Sequence, residues 1–175
     1  MITMSQGYRG CEQYIEKGKC IMGNRAVITT WVEEETQKQF EENVNPRIGI
    51  YVHWNGGKDS VEPFLIYCDM QGYRYPETDN YGWARLCQVI ANFLGGNTSI
   101  GIDMVEHLDC DNWDNGVYLI KDWKIAGRYY YEGAEQNQYD RLEMLKQIDK
   151  SMPEKEQLGD EEIEKLFEEY NTPAF

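Results

Sequence analysis

The sequence predicts an α+β fold: a mostly antiparallel sheet of about five strands, with two central helices and two C-terminal helices. Strand-like and helix-like segments are each clustered along the chain. Their order is strand, strand, helix, helix, strand, strand, strand, helix, helix. Clustering of this kind favours an antiparallel sheet over the regular alternation that is typical of a parallel α/β domain.

The first two strands are predicted over residues 25–32 and 47–54. The first segment is rich in β-branched residues, which favour extended backbone. In the second, apolar side chains alternate with other residues, so Ile50 and Val52 share one face of the strand. The same alternation places His53 on the opposite face, away from the predicted core.

The two central helices follow this strand. The first is predicted to begin with Asp59 or Ser60 as its N-cap, to tolerate Pro63 in its first turn and to end at Gly72. The second is predicted over residues 81–94, because its apolar residues recur at helical spacing. Gly95 and Gly96 are expected to end it.

The remaining elements are shorter or more polar. A strand is predicted over 99–104, a hairpin from strands 117–120 and 125–131, and helices over 139–150 and 160–170. The acidic run 33–42 is interpreted as a solvated loop or a short helix. We divide the chain into an N-terminal extension (1–21), an α+β core domain (22–150) and an acidic C-terminal helix or tail (151–175).

Composition excludes several classes of function. The chain has 175 residues, of which 31 are acidic and 17 basic, giving a formal net charge of −14. Binding nucleic-acid phosphates requires clustered Lys and Arg, so no direct nucleic-acid binding is expected. The sequence has no apolar run of membrane-spanning length and no apolar N-terminal signal segment. We therefore expect a cytoplasmic protein without a membrane partner.

The cysteines and histidines predict neither a metal site nor a cofactor. Five cysteines at irregular spacing, without a C-x-x-C pair, are typical of reduced thiols. The chain contains residues that could form a catalytic Cys–His pair, but no local sequence signature supports any combination of them. Its members would come from His53, His107, Cys68, Cys87 and Cys110. The run from Asp109 to Gly116 lacks the ligand spacing of an EF-hand and is interpreted as a turn.

One segment has the pattern of a ligand-binding loop. Asn55-Gly56-Gly57-Lys58-Asp59-Ser60 lies between a predicted strand and a predicted helix, where backbone N–H groups can hold an anion. It resembles the Ser-Gly-Gly-x-Asp-Ser loop of ATP pyrophosphatases, with Asn55 in place of the serine. That resemblance implies a small enzyme that binds a nucleotide or phosphate ligand. The other interpretation is a tight turn with a capping aspartate.

Aromatic residues near polar segments form a second candidate site, for contact with a protein partner. Such rings are enriched at protein–protein interfaces, but alternate tyrosines of a strand also belong to cores. Both interpretations remain open at this stage. The residues concerned are Tyr73, Tyr75, Trp113, Trp123, Tyr129, Tyr130 and Tyr131.

Three segments, 50–57, 81–88 and 114–120, resemble a group of proteins without established activity, encoded by bacterial prophages and integrative elements. The most recognisable feature is a His-Trp-(Asn/Asp)-Gly motif after a strand, here His53-Trp54-Asn55-Gly56. The likeness covers roughly residues 22–150 and carries no catalytic residue. A mobile-element setting implies an inhibitor of a host defence complex, such as an anti-CRISPR protein.

We therefore expect an acidic binding protein that contacts a host protein or ribonucleoprotein with a basic surface. Residues 53–60 are the candidate ligand or partner site. The candidate acidic surface comprises Glu33, Glu34, Glu35, Glu41, Glu42, Glu161, Glu162 and Glu164. The nucleotide-binding enzyme is the alternative, and a structural protein in which His53 and Trp54 only determine the fold is a third possibility.

Overall fold

A computed structural model describes residues 23–95, 99–131 and 138–171, and its described part contains one five-stranded sheet. In chain order the strands are β1 (Ala26–Thr30), β2 (Ile48–Val52), β3 (Ile100–Met104), β4 (Val117–Lys121) and β5 (Lys124–Tyr129). Their spatial order is β3-β2-β1-β4-β5. The β1–β4 pair is parallel and the other three neighbouring pairs are antiparallel. The predicted mostly antiparallel α+β fold is confirmed.

The helices occur in the predicted order. They are α1 (Gln37–Glu41), α2 (Lys58–Met70), α3 (Asn80–Phe93), α4 (Arg141–Ser151) and α5 (Asp160–Asn171). Within the acidic run 33–42, residues 37–41 form the short helix α1, which begins at a capping box between Thr36 and Gln39. No helix in the described ranges is long and apolar enough to cross a membrane. The proposed extension, residues 1–21, lies outside the described residues.

The four longer helices pack on one face of the sheet. Ile50 and Tyr118 of the sheet are fully buried in the same cluster as Phe64 of α2 and Leu86 of α3. Ile163 of α5 is also fully buried in this cluster, so the acidic C-terminal helix packs on the main core through its apolar side.

The opposite face of the sheet is covered by α1 and by the segment that follows β3. Phe40 of α1 is buried with Val27 and Val117 of the sheet. Beside this cluster, Arg47 forms an ion pair with Glu35, whose side chain is 1% exposed. Glu35 is therefore part of the packing beneath α1 and not of a solvent-exposed acidic surface.

Two local features differ from the predictions. The N-cap of α2 is Gly57, and Asp59 lies inside the first turn. The loop of the predicted hairpin has only two residues, Asp122 and Trp123, with φ of 49° and 55°. Positive φ at both positions is typical of a type I′ turn, for which Asn and Gly are the usual residues. Trp123 is accommodated because its ring is buried and its Nε1 donates to the Tyr73 carbonyl (2.9 Å).

Candidate functional site

The 55–60 loop connects β2 to α2 and packs tightly against the start of β1. The Gly56 N–H donates to the Asn24 carbonyl (2.7 Å), and a Cβ at Gly56 would lie 2.6 Å from backbone atoms of Asn24 and Arg25. Asn55 has φ of 57° and donates from Nδ2 to the Ser60 hydroxyl (3.2 Å). Glycine at position 56 is thus required by a backbone-to-backbone contact within the protein.

Asp59 ties the start of α2 to the segment before α4. It is 8% exposed, and its Oδ2 accepts from the backbone N–H groups of Gln138 (2.5 Å) and Tyr139 (3.1 Å). Ser60 is fully buried and Lys58 is half-buried. The carboxylate therefore organises protein backbone at the position where a bound anion would be expected, which favours the tight-turn interpretation of this loop.

His53 and Trp54 precede the loop and lie against each other. Their rings are 4.9 Å apart in an edge-to-face arrangement, and both side chains are half-buried. The His53 Nδ1 lies 3.0 Å from the Tyr51 hydroxyl. Tyr51 packs against the cluster that contains Phe40 of α1, so His53 beside it lies on the face opposite the four longer helices, as the alternation predicts.

The segment after the 3₁₀ turn at Val105–His107 forms a rigid loop over residues 109–116. Asn112 is fully buried at its centre, and its Oδ1 accepts from the N–H groups of Asp114, Asn115 and Gly116 at 3.0 to 3.1 Å. Its Nδ2 donates to the carbonyls of Asp109 and Gly116. One side chain thus satisfies five backbone groups, which fixes the loop conformation.

This loop presents Trp113 to solvent. The side chain is 89% exposed, although tryptophan is usually well buried. Its φ of 60° lies in the left-handed region, which costs a non-glycine residue roughly 1 kcal/mol. A rigid loop that holds a large aromatic ring in water at a strained position is typical of a binding anchor.

Exposed carboxylates lie around the Trp113 loop, on the side of the sheet that α1 covers. The acidic loop surface, as we name it, comprises Glu41, Glu42, Asp103, Glu106, Asp109 and Asp111. Contacts join its parts: Asn43 beside α1 donates to Glu106 (2.6 Å), and Arg25 pairs with Asp109 (3.5 Å). Burial, with Glu41 and Asp111 nearby, raises the pKa of Tyr130 to about 12. Arg25 and Lys38 pair with Asp109 and Glu42, and the remaining carboxylates would attract a basic partner.

The predicted acidic residues divide between two sides of the molecule. Glu33, Glu34, Glu41 and Glu42 are exposed on or beside α1. Residues 161, 162 and 164 belong to α5, which packs on the opposite side of the sheet. In α5, Glu164 pairs with Lys146 (2.6 Å), Glu162 with Lys165 (3.2 Å) and Asp160 with Lys150 (3.1 Å), so three of its carboxylates are partly neutralised within the protein.

Burial suppresses the nucleophilicity of the thiols in the described chain. It raises the pKa of the fully buried Cys68, and it raises the pKa of Cys87 and of Cys110 to about 11. A catalytic cysteine requires the opposite shift, towards thiolate at neutral pH. Among the described residues, no group of three or more His, Cys, Asp or Glu side chains could hold a metal ion.

We expect iodoacetamide at pH 8 to alkylate Cys110 about 100-fold more slowly in the folded protein than in urea, because its pKa shift lowers the thiolate fraction by that factor. The rate should rise with pH as the thiol approaches its raised pKa of about 11. Peptide mass spectrometry resolves each cysteine separately. Equal rates in folded and unfolded protein at pH 8 would contradict the assigned shift.

Comparison with known proteins adds no assignment to these sites. No protein-family model matches the chain, and neither a curated protein nor a solved structure matches it.

The sequence interpretation included Trp113 among the interface candidates but did not distinguish it from Trp123. The structure separates them, with exposures of 89% and 1%. The distinguishing signal was the density of Asp and Asn around Trp113, because such residues build turns that leave an intervening side chain in solvent. Arg25, which joins the loop to β1 through Asp114 (2.7 Å), was not predicted.

Proposed function

We propose that this protein is an acidic binding protein of a bacterial mobile element, which inhibits a host defence or nucleic-acid-handling complex by direct contact in the bacterial cytoplasm. Its partner presents a basic surface, of the kind that otherwise binds nucleic acid. The mode of action resembles that of anti-CRISPR proteins. It requires no reaction at any residue of the chain.

The observation that carries the proposal is Trp113, held in solvent on the loop organised by Asn112. Tryptophan is among the residues that most often dominate binding energy at interfaces. Its ring also attracts guanidinium and ammonium groups, so it suits a partner rich in Arg and Lys. Asp111, two residues before it, adds a charge that favours the same partner.

The charge distribution supports the acidic loop surface as the contact region. Its carboxylates are exposed, and the chain as a whole carries a charge of −14. Long-range attraction between such a surface and a basic partner speeds association and weakens with salt. Both acidic regions contain internal ion pairs, such as Glu42 with Lys38 on this surface and Glu164 with Lys146 on α5. We favour the acidic loop surface because it includes Asp111, which lies two residues from the exposed Trp113.

The alternative, an enzyme that binds a nucleotide at Asn55–Ser60, has less support. Gly56 packs on the backbone of β1, and Asp59 accepts backbone N–H groups from the segment before α4. These contacts account for the glycine and the aspartate that made the loop resemble a phosphate site. No specific contact of the loop favours a ligand over this role in the fold.

We expect Trp113→Ala to weaken partner binding at least 30-fold, which corresponds to about 2 kcal/mol, because it removes the anchor. The free energy of unfolding should change by less than about 0.5 kcal/mol, since the ring is almost fully solvated. The measurement is affinity capture from lysate of a bacterial host at low and high salt, followed by titration of the captured complex and assay of its activity.

Two charge variants complete the experiment, one that tests the acidic loop surface and one that serves as the control. The double variant Asp109→Lys, Asp111→Lys should reduce capture and its salt dependence, whereas Glu161→Lys in α5 should leave both unchanged. The proposal requires that the captured partner is basic and loses activity when bound. It fails if Trp113→Ala captures the same partner as strongly, or if the captured complex keeps its full activity.

A further inference from the structure

A groove lies at the other end of α2 from the 55–60 loop. It has a volume of about 530 Å³, and it is lined by Gly72, Tyr73, Arg74, Tyr81 and Arg85. This volume is within the range of sites that bind small molecules. Since α2 has 13 residues, the groove is roughly 20 Å along the helix axis from that loop. The loop that carries Trp113 lies beside the 55–60 loop, because Asn24 bonds to both Gly56 (2.7 Å) and Asn115 (2.6 Å), so the groove is also separate from the partner surface.

The groove is fixed by contacts of its own walls. Asp79 caps α3 by accepting from the Tyr81 N–H (2.8 Å), and it also accepts from the Arg74 guanidinium (2.7 Å). The Tyr73 carbonyl is held by the indole of buried Trp123 (2.9 Å). A site whose side chains are held in place before binding loses less conformational freedom when a ligand arrives.

Two guanidinium groups line the groove, those of Arg74 and Arg85, and the nearest carboxylates are Asp79 at Arg74 and Glu156, to which Gln88 beside Arg85 donates (3.1 Å). Arg85 has no carboxylate within 4 Å in the described ranges, and its Nη1 donates to the Gln88 side chain (2.6 Å). Arg74 pairs with Asp79. Guanidinium groups present paired N–H donors that match the oxygens of a phosphate.

Aromatic rings complete the site. The Arg85 guanidinium lies 5.2 Å from the centroid of the Tyr73 ring, and the Arg74 guanidinium lies 5.6 Å from that of Tyr81. Tyr81 is 67% exposed, which leaves most of its ring accessible. An exposed tyrosine ring next to arginines is an arrangement on which a nucleobase stacks while its phosphate is bound.

We propose that this groove binds a mononucleotide, with the phosphate at Arg74 and Arg85 and the base on Tyr81. The site is independent of the partner surface at Trp113 and of the 55–60 loop. A free nucleotide suits it better than a nucleic-acid strand, because the net charge of −14 opposes the approach of a polyanion.

The test is calorimetric titration of the full chain with AMP. Arg85→Gln should weaken AMP binding at least tenfold, because it removes the charge but keeps a polar side chain of similar length. Tyr81→Ala should weaken it at least fivefold through loss of stacking. The matched control is Arg141→Gln, which removes an exposed arginine that pairs with Glu62 elsewhere and should bind AMP like the unmodified protein.

Three further ligands distinguish the contribution of the phosphate from that of the base, and a free nucleotide from a strand. Inorganic phosphate and adenosine should each bind at least tenfold more weakly than AMP, because each lacks one half of the recognised chemistry. Adenosine binding as tightly as AMP, or no saturable binding of AMP, would overturn the proposal. Tighter, salt-dependent binding of a short single-stranded oligonucleotide would also overturn it, since the site would then recognise a strand.

Failure of AMP binding would leave partner capture through Trp113 unaffected, and the reverse also holds. The two proposals are therefore tested separately on the same preparation. Unfolding in urea checks each variant for folding before its binding is interpreted.

Discussion

Replacing Asp149 with alanine is expected to lower the free energy of unfolding by about 4 kcal/mol. Asp149 of α4 is 2% exposed, and three donors meet its carboxylate. They are the Tyr67 hydroxyl (2.7 Å) and the N–H groups of Leu158 (2.8 Å) and Gly159 (3.0 Å). Alanine would leave all three donors without their acceptor, and the loss is greatest at the Tyr67 hydroxyl, whose residue is fully buried, whereas Leu158 is half-buried and Gly159 is exposed.

The measurement is urea unfolding of the two chains at the same pH. Tyr67→Phe removes only one of the three donors and should cost about 1 kcal/mol. Asp160→Ala is the matched control at the same junction, because its carboxylate is exposed and pairs with exposed Lys150, and it should cost less than about 1 kcal/mol. If Asp149→Ala and Asp160→Ala had equal effects, the central role of Asp149 would be wrong.

This network explains how the acidic C-terminal helix is joined to the core. Asp149 fixes the turn at Leu158 and Gly159 that leads into α5, and Ile163 of α5 is fully buried among the helices. Burial and the hydrogen bond to Asp149 raise the pKa of Tyr67 well above its usual value. The tyrosine therefore remains a donor to the carboxylate throughout the neutral range.

The fold could be predicted because its signals are local. The alternation in β2 and the apolar stripe of α3 each specify an element and its buried face without knowledge of the rest of the chain. The observed α3, Asn80–Phe93, differs by one residue at each end from the predicted 81–94. Capping side chains such as Asp79 lie next to the helix they cap, so they too are readable from sequence.

Features that depend on distant contacts could not be predicted. Asp59 has the residue type of an N-cap, yet it accepts N–H groups from Gln138 and Tyr139, about 80 positions along the chain. Trp123 occupies a positive-φ turn position because its ring is buried and bonded to Tyr73. In both cases tertiary contacts override the local preference of the residue.

The candidate sites also divide into features that are visible in the sequence and features that depend on tertiary contacts. The Asn55–Ser60 motif was recognisable from its glycines, but Gly56 serves a contact with the backbone of residues 24–26, and Gly57 leaves room for the Asp59 carboxylate; the sequence reveals neither contact. The exposure of Trp113 and the convergence of Arg74 with Arg85 arise only when the loops are folded. Motif spacing identifies a turn reliably, whereas a surface assembled from separate segments requires the structure.

Gly82→Ala is expected to lower the free energy of unfolding by about 3 kcal/mol, although alanine is the better helix former by about 1 kcal/mol. Gly82 lies in the first turn of α3, where the segment before the helix crosses it. A Cβ there would lie 2.3 Å from the Arg74 carbonyl oxygen and 2.7 Å from the Pro76 nitrogen. Because both atoms belong to the backbone, the clash can be relieved only by moving the chain.

Gly101→Ala provides the matched control, since the nearest atom to its added Cβ is 3.7 Å away. We expect it to change the free energy of unfolding by less than about 0.5 kcal/mol in a urea titration. Displacement of residues 74–76 by Gly82→Ala would also separate Arg74 from Tyr81, so the folded fraction of this variant should bind AMP more weakly. A stabilised Gly82→Ala protein would mean that α3 and the preceding segment are not in the close contact on which the groove depends.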